Sequence, residues 1–257
     1  MHPVTALGAA LYYDFSLVED VAPLGRLLDA LAIGDGPELK QFCVPLAPRR
    51  EKETKVDRAK LFSRITSGEL FSALVGRRGD NPDDEVVTVS VSLAPATNAQ
   101  QENRAGYRFH AHVELGAAAV ARRGVDAIVN ALIAFANDVT PRAGVVFPAS
   151  SAAAALGLAT GTQFSDLGEQ TNLVIRDIAY EVNVLADRIR TPEWGTFLAK
   201  HHVEKMGGIE ALRALCPSVR ELESGGAFLQ LTKELDDAGI HEKRRALASA
   251  LAPLLAP

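Results

Sequence analysis

The chain has 257 residues, 47% of them hydrophobic and 23% charged, values ordinary for a folded globular protein and remote from those of disordered chains. Its formal net charge of −5 and pI near 5.7 argue against general nucleic-acid binding, which needs a clustered basic surface. Cys43 and Cys216 lie far apart and form no C-x-x-C pair, so they indicate neither a disulfide framework nor a zinc site and fit a reducing compartment. The length allows one large α+β domain, or two subdomains with a boundary near residues 150–175. The opening residues lack a basic start followed by an apolar run, and no stretch is long and apolar enough to span a membrane. A cytoplasmic protein is the expectation.

Residues 7–15 are apolar and aromatic and predict a first, largely buried strand. Asp20 as N-cap places Pro23 in the first turn of a helix whose buried stripe is Leu24, Leu27, Leu28 and Leu31. Residues 49–60 carry dense charge of both signs and predict a solvated insertion or mobile loop. A strand is expected over 69–75, and the acidic turn containing Asp80, Asp83, Asp84 and Glu85 is expected to be exposed.

Val87, Val89, Val91 and Leu93 alternate with Thr88, Ser90 and Ser92, and Tyr107, Phe109, Ala111, Val113 and Leu115 alternate with Arg108, His110, His112 and Glu114. This period of two predicts antiparallel neighbours, each buried on one face and solvated on the other. Val125, Ile128, Val129, Leu132, Phe135, Ala136 and Val139 then recur at helical spacing, with Pro141 as the stop. A short strand over 143–147 and an alanine-rich helix capped by Ser150 follow, and Gly157, Gly161 and Gly168 mark a turning region. Residues 175–189 read equally as helix or extended chain.

Thr191 as N-cap and Pro192 at the first helical position predict a helix to Met206 with Trp194, Phe197, Leu198 and His201 on its apolar face, ended by Gly207-Gly208. A short helix over 209–215, strands near 219–222 and 227–231 and a final helix over 241–251 complete the chain. Helices grouped against antiparallel strands predict an α+β fold with an antiparallel or mixed sheet, and a duplicated α/β unit is compatible with the element order.

Motifs for chemistry are sparse. His110, His112 and Glu114 have a metal-ligand spacing on one strand face, but Arg108 on that face opposes a cation, and any half-exposed strand carries polar residues there. His201-His202 with Glu204 forms no H-E-x-x-H, so His201 is expected to pack and His202 to be solvated. No G-x-S-x-G, P-loop or G-x-G-x-x-G is present, and the glycines at Gly157 and Gly161 lack the lysine that phosphate cradling needs. Asp236-Asp237 reads as a loop pair, and the lone Trp194 as core rather than as an interface anchor.

The run from Arg188 through Trp194, Phe197 and Leu198 to Met206-Gly207-Gly208, the later Gly225-Gly226 turn with Phe228 and Leu229, and the middle elements from Tyr107 to Val146 resemble, in order and spacing, the bacterial type VI secretion immunity proteins. The resemblance implies a protein that binds a delivered toxin in the cytoplasm and blocks its action. It implies no catalytic residue and no cofactor, while the residues themselves lead to the expectation of no metal, no nucleic-acid partner and no membrane partner. On charge and turn composition alone, Asp80, Asp83, Asp84 and Glu85 are the candidate residues for steering encounter with a basic toxin surface. Two other functions compete with this one: an enzyme, metal-dependent or otherwise, using the face of His110, His112 and Glu114, and a structural module of a larger assembly.

Overall fold

The computed structural model describes residues 6–33, 39–45, 54–77, 85–93, 109–149, 188–189, 192–235, 237 and 239–255. Its strands are β1 (Ala6–Tyr13), β2 (Lys40–Pro45), β3 (Thr54–Lys55), β4 (Leu70–Arg77), β5 (Val87–Ser92), β6 (Phe109–Leu115), β7 (Ala143–Ala149), β8 (Gly195–Leu198), β9 (Ser218–Glu221) and β10 (Ala227–Gln230). Its helices are α1 (Ala22–Ala30), α2 (Arg58–Thr66), α3 (Ala117–Arg123), α4 (Val125–Val139), α5 (Lys200–Lys205), α6 (Ile209–Leu215) and α7 (Ile240–Ala250). All ten strands join one sheet in the order β3-β2-β4-β5-β6-β1-β7-β8-β10-β9, with antiparallel pairing throughout. The fold is α+β.

β1 lies between β6 and β7, pairing Leu11 with Ala111 on one side and with Gly144 on the other. A strand paired on both edges and covered on both faces must be apolar along its whole length, and all eight of its residues are buried. β5 pairs with β6 as the alternation predicts, Val89 opposite Val113 and Val91 opposite Ala111.

Adjacent residues on a strand point to opposite faces, which divides the interior into two cores. Phe197 and Phe228 enter the larger core with Leu7, Leu11, Val113, Leu24, Leu28, Leu132 and Phe135, so α1 and α4 cover that face. Leu198 and Leu229 enter the second core with Val203, Leu212 and Leu247, so α5, α6 and α7 cover the opposite face. The two phenylalanine rings approach to 4.7 Å between β8 and β10. Gly195 makes room for them, because a Cβ there would stand 2.8 Å from the Phe228 ring and 2.9 Å from Val146.

Helix α1 forms with its expected buried stripe, Leu24, Leu27 and Leu28, and with Pro23 in the first turn, but its N-cap is Val21 rather than Asp20, which lies one residue earlier and accepts the Ala22 amide at 2.9 Å. The charged segment 49–60 differs from the expected loop where it is described. Thr54–Lys55 adds a short edge strand to β2, and Asp57 accepts the Lys60 amide at 3.0 Å to cap α2, a contact that stabilises the helix by about 1 kcal/mol. Leu61 and Ile65, four residues apart, anchor that helix in the larger core.

The helix expected from Pro192 to Met206 is corrected. Residues Gly195–Leu198 form β8, and helix begins only at Lys200. A four-residue strand buried on both faces carries no alternation to betray it, whereas Thr191 and Pro192 imitate a helix start. Trp194 is nevertheless core, at 1% exposure, and its indole N–H donates to Thr232 Oγ1 at 2.9 Å and to the Glu234 carbonyl at 3.2 Å. Gly207 and Gly208 both have positive φ and end α5 as read. The helix expected after Ser150, the stretch 175–187 and the proposed subdomain boundary lie outside the described residues.

Candidate functional site

Two constellations of polar side chains merit description as sites. The first is the strand face singled out by its histidines. His110, His112 and Glu114 project from β6 on the face opposite the larger core, alongside Thr88, Ser90 and Ser92 of β5 and Tyr12 of β1. The expected solvation of this face is corrected: Thr88, Ser92, His112, Glu114 and Tyr12 are all buried. Their desolvation is offset by cross-strand bonds, since a buried polar group without a partner costs about 1–3 kcal/mol. The Thr88 hydroxyl donates to Glu114 Oε2 at 2.7 Å, and the His110 amide donates to Ser92 Oγ at 2.8 Å.

The rings of His110 and His112 stack at 4.6 Å, and Tyr12 meets His112 edge-on at 6.5 Å. Burial pushes the half-buried His110 down to about 4, so its imidazole is neutral at physiological pH. Among the described residues, no group of three or more histidine, cysteine or carboxylate side chains is placed to share a metal ion. As observed, the row is a hydrogen-bonded polar belt within the sheet. Arg108 lies outside the described residues.

The second constellation was not legible in the sequence. A cleft of about 350 Å³ is lined by Ala32 and Ile33 after α1, Leu39 before β2, Arg77 at the end of β4, Glu85 and Val87 at the start of β5, and Arg122 and Arg123 in the last turn of α3. Gly116 starts α3 directly at the end of β6, and the positive φ of Gly124 separates it from α4, which fixes where the two arginines fall. Arg123 donates to Glu85 Oε1 at 2.6 Å and to the Leu31 carbonyl at 3.0 Å, while Arg122 donates to Glu85 Oε2 at 2.6 Å. Burial raises the Glu85 carboxyl, but the hydrogen bonds from Arg123 and Arg122 outweigh it and hold the group below its ordinary value.

Glu85, one of the four acidic residues expected to face a partner, is thus committed to two arginines, with its side chain 18% exposed. Asp80, Asp83 and Asp84 lie outside the described residues. Arg77 and Glu85 are far in the chain from Arg122 and Arg123, and the one local hint was the Arg122-Arg123 pair closing an alanine-rich stretch.

The remaining candidates have structural explanations. His202 is buried rather than solvated, because its Nδ1 accepts the Ala199 amide at 3.2 Å and so caps α5; His201 is half-buried beside it, the rings 3.9 Å apart. Cys43 and Cys216 are buried and reduced, and burial raises the Cys216 thiol above its ordinary value.

No protein-family model matches this chain, and no curated protein matches it in sequence. Among solved structures, the chain is similar to the one described as Pseudomonas aeruginosa T6SS protein PA0821, with a TM-score of 0.63, 16% sequence identity, and coverage of 98% of this chain and 74% of that one. At that identity the likeness concerns the fold, and it extends over both cores of the sheet.

Proposed function

We propose that this chain is an immunity protein of a type VI secretion system, which binds a cognate toxin acting in the cytoplasm and neutralises it without catalysis. The observation that carries this reading is the likeness of fold to a type VI secretion protein over 98% of the chain. It agrees with the resemblance in order and spacing between residues 107–230 and the immunity proteins.

In this reading Asp80, Asp83 and Asp84 steer encounter with a basic toxin surface, and Glu85 contributes chiefly by ordering the arginines beside it. The test is co-expression of the chain with a toxin encoded beside it, combined with calorimetric titration of the two purified proteins. Rescue of growth with tight one-to-one binding is the expected result. Reversing the charge of Asp83 and Asp84 is expected to slow association and flatten its salt dependence. Failure to see either rescue or binding would overturn the immunity reading, and an obligate oligomer without rescue would replace it with a scaffold role.

A further inference from the structure

We infer that the cleft between β4, β5 and α3 binds a small molecule carrying a phosphate or carboxylate group on an apolar body, with Arg77 as its principal charged contact. Among the described residues, three guanidinium groups line the cleft against the single carboxylate of Glu85, so that part of its wall carries a positive excess. Arg123 is consumed by the fold, since it holds Glu85 and the Leu31 and Ala119 carbonyls together. Arg122 is different: its side chain is 74% exposed, and among the described residues only its Nη1 is committed, to Glu85.

Arg77 is half-buried, lines the same cleft and makes no hydrogen bond or ion pair with any described residue. A planar fork of donors, partly withdrawn from water and sharing its cleft with a second arginine, suits a two-oxygen acidic group. Ile33, Leu39 and Val87 supply the apolar part of the wall. The volume of about 350 Å³ falls at the small end of ligand sites and excludes a large cofactor. The inference does not depend on the immunity reading.

The experiment is a calorimetric titration of the full chain at low ionic strength with phenyl phosphate and, separately, with benzoate, repeated on Arg77→Gln. Because Arg77 has no partner among the described residues, the variant is expected to melt with the wild type, which circular dichroism checks. Saturable one-to-one binding of at least one probe, weakened by at least about tenfold in R77Q, is the expected result. A response to phenyl phosphate alone identifies the acidic group as phosphate, and a response to benzoate alone as carboxylate. Absence of saturable binding for both probes, or a smaller loss in a folded R77Q, overturns the assignment.

Discussion

Trp194→Ala is expected to lower the melting temperature by on the order of 10 °C, the consequence of losing roughly 3–5 kcal/mol in a chain of this size. The side chain is 1% exposed and sits where β8 begins, so its removal leaves a cavity in the larger core. It also deprives Thr232 and the Glu234 carbonyl of the indole N–H. Trp194→Phe should retain most of the packing and cost nearer to about 1 kcal/mol, since the Thr232 hydroxyl still donates to Glu234. As the protein contains one tryptophan, its fluorescence reports the same site: emission should be blue-shifted in the native state and move to the red with unfolding. A W194A protein melting within a degree or two of wild type would show that this residue does not anchor β8.

The second large effect concerns the buried pair beside it. Glu193 and Arg244 face each other at 3.3 Å with both side chains 9% exposed, and Arg244 also donates to the Pro192 carbonyl at 3.0 Å. Burial pushes Glu193 up from 4.5 to about 7, with Arg244 pulling the other way. Arg244→Leu removes that pull and the bond to Pro192, and is expected to cost about 3–5 kcal/mol at pH 8. The loss should be smaller at pH 5, where Glu193 can take up a proton instead of remaining as an unpaired buried anion. An equal loss at both values would refute the pairing as the cause.

Wild-type stability carries the same signature with a counterweight. Between 4.5 and about 7 the native state binds more protons at Glu193 than the unfolded chain does, so this group's contribution is full below 4.5 and is lost as pH rises through 7. His110 is pushed down from 6.5 to about 4, so its contribution is present above 6.5 and is lost as pH falls through 4. The two slopes oppose across the shared window. Glu193→Gln should therefore leave stability rising with pH there, and His110→Asn should leave it falling, in denaturant titrations at fixed pH. Identical profiles for both variants would remove these groups from the account.

Strands whose two faces differ chemically were legible in the sequence. Val87, Val89 and Val91 against Thr88, Ser90 and Ser92 located β5, and the matching alternation in β6 gave its neighbour. What alternation could not reveal was that the polar face is also covered, because burial of Thr88 and Glu114 depends on the bond between them rather than on either residue's type. β8 was misread for a related reason: Phe197 and Leu198 are both apolar yet serve different cores. In α2 the charge that dominates residues 49–60 hid a helix whose anchors, Leu61 and Ile65, come just after it. The arginine cleft required the topology, since only the pairing of β4 with β5 and the start of α3 at the end of β6 bring its residues together.

The central place of β1 in the sheet also bears on how the chain is made. During synthesis Ala6–Tyr13 precedes both of its pairing partners, and neither Phe109–Leu115 nor Ala143–Ala149 exists when it leaves the ribosome. It carries no charged side chain to discourage contact with another chain. For that interval its ladder edges and both apolar faces have no native neighbour, the circumstance in which nascent sheets aggregate or engage chaperones. The β2–β4–β5–β6 portion can close between sequence neighbours, whereas insertion of β1 waits on distant contacts and is expected to be the slow step of folding.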